Sequence, residues 1–231
     1  NATNLKTIGG SAFQSTALTT IDFSGATALE EIGSWAFYET DLTSVTLPDG
    51  LETIGSGAFY GTALTSVTLP DRLETIEHAA FYNTALTSVI IPESVKTIGE
   101  GLETSYYKQG AFASNDITEL AILGTPTFYD DKPYNTIYST FQRKAPYGPI
   151  QLKRFCGNYS ALPSNIKAQI SMTHAVTDCT FWCAPDRDIM QISTNYHCTT
   201  QWSTSCAAGS YFTHKPAGMQ VSMSDTCTPC P

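Results

Sequence analysis

A β-rich solenoid of short parallel strands, followed by an irregular disulfide-rich region, is the fold class this sequence predicts. Three observations predict it. The words LETIGSGAFYGTA and LTSVTLP, residues 51–70, recur before and after that stretch with little change. The residue opening each copy falls at Leu5, Leu29, Leu51, Leu73 and Val95, in steps of 24, 22, 22 and 22 residues. All seven cysteines lie after the copies, from Cys156 onward. Such a period marks a solenoid, because one unit cannot bury its apolar side alone. Stacked units bury one continuous core, in which each column of like residues packs on itself.

Each copy opens with an extended LxxI segment, which places Ile8, Ile32, Ile54, Ile76 and Ile98 in one column. Gly55 and Gly57 mark a turn after it, before a short helical or 3₁₀ turn carrying Phe59. Phe13, Phe37, Phe59, Phe81 and Phe112 form the matching column. Five residues later a strand begins, at Leu18, Leu42, Leu64, Leu86 and Ile117. In the run Leu64 to Leu69 the alternation turns Val67 and Leu69 inward and Ser66 and Thr68 outward. Pro70 stops the run, since proline cannot donate to a ladder. The expected coil therefore has a parallel strand on one face, a short LxxI segment opposite, and phenylalanine between.

The first copy carries an insertion around Ser24 to Thr27. The fifth carries nine extra residues within GEGLETSYYKQG, between Ile98 and Phe112. Loop length costs little entropy, so a tolerated surface loop is one reading. A contact loop presenting Tyr106 and Tyr107 is the other, because tyrosine is enriched at binding hot spots. From Gly124 the text degrades into a terminal repeat, with Phe141 in the phenylalanine column and Ile150 and Leu152 in the strand. Tyr129, Tyr134, Tyr138 and Tyr147 are expected to cover its end. Asp130 and Asp131 read as a solvated turn, since calcium needs more oxygen ligands at defined spacing.

The pattern LxxIGxxAFxxxxLTxVxLP, recurring from Leu5 to Leu123, resembles the BspA-like, or Treponema-type, leucine-rich repeat family. The resemblance implies a right-handed leucine-rich-repeat solenoid in a secreted or cell-surface protein of bacteria or microbial eukaryotes. Known members are mostly adhesins and surface interaction proteins. It implies no catalytic residues. The solenoid is expected over 1–155 and the cysteine-rich region over 156–231.

Cys156, Cys179, Cys183, Cys198, Cys206, Cys227 and Cys230 have the distribution of a disulfide framework, which belongs to an oxidising compartment. Two N-glycosylation sequons, at Asn1 and Asn158, agree with a eukaryotic secretory route. Cys206-Ala-Ala-Gly-Ser-Tyr211, with Cys227-Thr-Pro-Cys230-Pro231, resembles the cysteine-rich module of ephrin-receptor-like repeats. That resemblance implies a Cys206–Cys227 bridge and a Cys230 bonded beyond Pro231. Cys156, Cys179, Cys183 and Cys198 would then form two bridges, with three connectivities open. The chain reads as a mature product or an excerpt of a longer one.

Composition narrows the function. The net charge of −9 argues against nucleic acid and anionic membranes as partners. No apolar run approaches the roughly 18 residues a membrane-spanning helix needs. No GxSxG or HExxH motif occurs. His78, His174, His197 and His214 read as satisfied or exposed side chains rather than catalytic groups. Cys179, Cys183, His197 and Cys198, or Cys227 and Cys230, could be drawn as zinc ligands, but disulfides account better for them in this serine- and threonine-rich tail. No metal or cofactor is expected.

The outward strand positions form two columns: Thr20, Ser44, Ser66, Ser88, and Asp22, Thr46, Thr68, Ile90. Short β-favouring residues that pair across strands explain them without a ligand. A surface for glycans or an extended peptide explains them with one, through adaptable hydroxyl hydrogen bonds. Asp49, Glu52, Asp71, Glu74 and Glu93 add an acidic rim. The expectation is a non-enzymatic extracellular or cell-surface protein for adhesion or protein interaction, with Ser44, Thr46, Ser66, Thr68, Ser88, Tyr106 and Tyr107 as candidate ligand contacts. The alternative is a self-assembling subunit of an extracellular filament, sheath or appendage.

Overall fold

The LxxI segments, too short for the sheet-forming role to be assigned to them from sequence, build the largest sheet among the described residues. The computed structural model describes residues 3–100, 109–129, 140–144, 148–171, 176–177, 210–212 and 227–229. Its strands, in chain order, are β1 (Thr7–Ile8), β2 (Thr20–Asp22), β3 (Glu31–Ile32), β4 (Ser44–Thr46), β5 (Thr53–Ile54), β6 (Thr75–Glu77), β7 (Ser88–Ile91), β8 (Thr97–Glu100), β9 (Glu119–Ile122), β10 (Thr127–Phe128), β11 (Ile150–Gln151) and β12 (Arg154–Gly157). A short helix α1 (Ser164–Gln169) follows, then β13 (Ile170–Ser171), β14 (Val176–Thr177), β15 (Ser210–Phe212) and β16 (Cys227–Pro229). The first sheet is six-stranded, β1-β3-β5-β6-β8-β10, and every pair in it is parallel. Leu29, Leu51, Leu73 and the isoleucines Ile32, Ile54, Ile76 and Ile98 are fully buried behind it.

Opposite runs a second parallel sheet in two parts, β2-β4 and β7-β9-β12-β14. The gap between them is a departure from expectation. Thr65–Pro70 repeats Thr43–Pro48 residue for residue, yet Thr43–Pro48 contains β4 while Thr65–Pro70 forms no paired strand. Side-chain identity therefore does not decide the pairing; position in the stack does. The alternation survives the gap: Ser66 and Thr68 are exposed, Val67 is half-buried, and Leu69 is buried.

Between the sheets the phenylalanines stack. Phe13, Phe37, Phe59, Phe81, Phe112 and Phe141 stand with centroids 5.2, 5.3, 5.3, 5.2 and 5.8 Å apart and planes within 9° of parallel. The step is close to the strand spacing of a sheet, so each coil adds one ring. The expected helical or 3₁₀ turn around Phe59 is replaced by consecutive hydrogen-bonded turns. Residues two before and two after the phenylalanine are left-handed: Ser11 and Ser15, Trp35 and Glu39, Gly57 and Gly61, Ala79 and Asn83. This turns alternate N–H groups toward the next coil. Phe13, Phe37, Phe59 and Phe81 donate to Ala36, Ala58, Ala80 and Ala111 O, each at 2.8 Å. A threonine closes each turn, Thr40 and Thr62 Oγ1 donating to Phe37 and Phe59 O at 3.0 Å.

On either side of the insertion the coil keeps its contacts, Thr97 pairing with Thr75 and Phe112 stacking on Phe81, while residues 101–108 lie outside the described residues. Asn115, fully buried, replaces threonine in that coil. It accepts from Thr84 Oγ1 at 2.6 Å and donates to Phe81 and Phe112 O at 2.7 and 2.9 Å.

The terminal repeat is partly corrected. Phe141 does join the column, and β10 takes the LxxI place beside β8. Ile150 and Leu152 are buried, but the strand that continues the second sheet is β12, with Arg154 opposite Glu119 and Phe155 opposite Leu120. The larger Phe155 fills the inward place. Ile150–Gln151 pairs instead with β13. The expected boundary at 155/156 falls inside β12, and β14 adds to that strand, so parallel pairing continues to Thr177. Gln169 Oε1 ends the turn ladder by accepting the Phe141 N–H at 3.0 Å. Tyr129 is 50% exposed. Tyr134, Tyr138, Tyr147, Asp130 and Asp131 lie outside the described residues.

Candidate functional site: the outward face of the second sheet

Parallel pairing puts Thr20 beside Ser44 and Asp22 beside Thr46. All four are exposed, as are Ser66 and Thr68 in the next coil. Asp22 Oδ1 accepts the Ser24 N–H at 2.8 Å. That bond, and a second from the Ser24 hydroxyl, hold its carboxyl below the usual carboxylate range. One end of the face is thus anionic and the rest is a row of small hydroxyls.

Further along, the same two columns change character. Ser88 is half-buried and Ile90 replaces the hydroxyl beside it. The next pairs are Glu119 and Ala121, then Arg154 and Cys156. Arg154 Nε stands 3.8 Å from Glu119 Oε1. Cys156 is buried and disulfide-bonded. Cys227 opens β16, which pairs antiparallel with β15. Tyr106, Tyr107, Cys179, Cys183, Cys198, Cys206, Cys230 and Asn1 lie outside the described residues, with His174, His197 and His214. Asn158 is exposed and caps a 3₁₀ turn, accepting from Ser160 Oγ at 2.6 Å and Ala161 N at 3.2 Å.

The rim is less acidic in effect than its sequence. Glu52 pairs with Arg72 at 2.7 Å, Glu74 with Lys96 at 2.6 Å and Glu30 with Lys6 at 3.4 Å. These pairs are exposed and add little stability.

Two groupings escaped the sequence reading. Tyr38, Tyr60 and Tyr82 stand 4.9 and 4.8 Å apart beside the phenylalanine column, the first pair tilted by 32° and the second stacked, all half-buried. Trp35 meets Tyr38 edge-on and lies over Gly57, where a Cβ would come within 2.4 Å of its ring. The signal was the recurring Ala-Phe-Tyr of three successive copies. The second grouping is Ser56, Glu77 and His78. Ser56 donates both its N–H, at 2.8 Å, and its hydroxyl to Glu77 Oε2. His78 Nδ1 lies 2.9 Å from the same hydroxyl oxygen. A hydroxyl has one proton; the carboxylate takes it, so Nδ1 carries the hydrogen that bonds to Ser56. That is the reverse of a base activating a nucleophile, and Ser56 is fully buried. The trio ties two coils together. Ser56 and His78 are 22 residues apart, one coil period.

Among the described residues, no group of three acidic, histidine or cysteine side chains could hold a metal ion. No described helix is long and apolar enough to cross a membrane. Comparison with curated proteins and with solved structures finds no match to the chain. Repeats of the leucine-rich kind serve in general in protein interaction or adhesion. The model of the BspA type leucine rich repeat region matches residues 2–109 in six copies, which supports the BspA-like leucine-rich-repeat family for the array that carries this face.

Proposed function

We propose that the chain is a non-enzymatic extracellular or cell-surface protein that mediates adhesion or protein interaction through Ser44, Thr46, Ser66 and Thr68. One observation carries the reading: these hydroxyls form an exposed surface that the core does not use. Small hydroxyls both donate and accept, which suits a glycan or the backbone of an extended peptide. The disulfide at Cys156 and the exposed sequon at Asn158 support a secretory route. The solenoid is taken to run to Thr177, with a cysteine-rich region after it.

The test is a panel of immobilised oligosaccharides and a library of extended peptides, probed with the full chain and with a Ser44→Ala, Thr46→Val, Ser66→Ala, Thr68→Val variant. At about 1 kcal/mol per hydrogen bond, the variant is expected to bind at least about tenfold more weakly, with unchanged thermal melting. Equal binding by the variant removes the face from the function. No binding to either panel counts against both ligand classes.

A second reading is a subunit of an extracellular filament, sheath or appendage, linked or rigidified by its cysteine-rich tail. Electron microscopy of the native protein, with and without reductant, is expected to give dispersed rods under the first reading. Regular filaments that loosen in reductant would establish the second, with Cys230 as a candidate link.

A further inference from the structure

One coil is fastened to its neighbours on two sides of the core and loose on the third. In the first sheet β5 pairs with both β3 and β6, Ile54 standing between Ile32 and Ile76. At the turns Phe37 N donates to Ala58 O and Phe59 N to Ala80 O, both at 2.8 Å, and Phe59 stacks on Phe37 and Phe81 at 5.3 Å. On the hydroxyl face the fastening stops. Residues 65–69 make no backbone hydrogen bond with the strand on either side; the nearest backbone link there is Ala85 N to Leu64 O at 2.9 Å. The flanking strands β4 and β7 each pair only on their far side.

Nothing in the side chains opposes closure. Thr43–Pro48 is the same hexapeptide as Thr65–Pro70, and it pairs with β2 in register, Ser44 beside Thr20 and Thr46 beside Asp22. In the same register beside β4, Ser66 would meet Ser44, Val67 would meet Val45 and Thr68 would meet Thr46, like on like. In the open arrangement Thr65, Ser66 and Thr68 are exposed, so water can satisfy the free N–H and C=O groups. A backbone bond exchanged for one to water gains little net. Two arrangements that differ by a few such bonds are close in free energy, and a protein with two such states samples both.

We infer that this coil is a hinge: the second sheet opens and closes along Thr65–Leu69, while the first sheet, the turn ladder and the phenylalanine stack hold as its spine. The rows Ser44–Thr46 and Ser66–Thr68 lie on opposite sides of the opening, so the state of the hinge sets the spacing between them. A partner that bridges the two rows in one state holds the hinge there. The hinge follows from the hydrogen bonding of the coil and stands whatever the face binds.

The test is amide exchange and relaxation dispersion on the full, unaltered, oxidised chain. Thr43–Leu47 and Thr65–Leu69 share one sequence and each follows a leucine, so their unprotected exchange rates are equal and any difference is structural. Thr43 N donates to Thr19 O at 2.9 Å, and Thr65 N has no such partner. Thr65–Leu69 is therefore expected to exchange about tenfold or more faster than Thr43–Leu47. Hinges move in microseconds to milliseconds, so dispersion is expected at Ser66–Thr68 and not at Thr53 and Ile54. Equal protection of the two copies overturns the inference, because the sheet is then closed. Fast exchange without dispersion overturns it too, because the gap is then fixed. Dispersion as large at Thr53 and Ile54 assigns the motion to the whole coil and removes the spine on which the hinge depends.

Discussion

Phe59→Ala is expected to destabilise the solenoid by about 3–5 kcal/mol, the cost of emptying a fully buried aromatic site. The ring is stacked on both sides, against Phe37 and Phe81, and is 0% exposed. Neither neighbour can close the gap, because each coil is held at strand spacing by the first sheet and by the hydrogen-bonded turns around the phenylalanine. Denaturant unfolding followed by circular dichroism measures the loss. Solenoid coils interact with nearest neighbours, so the variant should also split one transition into two. Amide exchange should then place the weak point between the coils of Phe37 and Phe81. A loss below about 1 kcal/mol would mean that the stack is ornamental to the core.

The second large effect comes from the smallest residue. Gly55→Ala places a Cβ 2.7 Å from Ser34 N, 2.8 Å from Gly33 C and 2.9 Å from Ile32 O, all backbone atoms of the preceding coil. No rotamer relieves such a contact; the coils must separate. Overpacking of this kind costs about 2–3 kcal/mol or more. The chain contains its own comparison, since Glu77 holds the equivalent place one coil later. There the pairing with the following coil shifts register between Ile76 and Glu77, with Gly99 left-handed in β8. The Glu77 carboxylate accepts the Ser56 N–H. Gly55→Ala lacks these adjustments, and a thermal melt equal to that of the parent would refute the close-packing account.

What the sequence made legible is what repeats. Leu51, Ile54, Phe59 and Leu64 could be placed because the same residue type recurs every 22 positions, and identical side chains stacked in register have one arrangement. Phe141 was assigned to the same column although it follows Phe112 by 29 residues rather than 22. The strand Arg154–Gly157 was not, since its spacing from Phe141 departs from the period and only pairing with Glu119 to Ile122 reveals it. The two-part second sheet was beyond reach for another reason: Thr43–Pro48 and Thr65–Pro70 are the same hexapeptide, so no local signal separates the paired from the unpaired copy. Within the candidate site, the exposed hydroxyls followed from alternation. The burial of Ala121 and Cys156 did not, because alternation assigns a side of the sheet but cannot say what lies on it. The tyrosine column and the Ser56–His78 bond were available to anyone reading residues one period apart, a comparison that a search for linear motifs never makes.

The phenylalanine stack also makes size a whole-number property. Every coil presents nearly the same surface to the next, so duplicated or lost copies of 22 residues leave the junctions intact. Removal of Leu29–Gly50 would bring Phe13 against Phe59, Gly9 against Gly55 and Lys6 against Glu52, pairings of the kinds already present. An insertion of any other length breaks this register and has to leave the stack. Recombination between repeats can therefore change the reach of the hydroxyl surface in steps of about 4.8 Å, the spacing of one strand, without redesigning the core. A protein built this way can vary the footprint it offers a partner faster than it varies its fold.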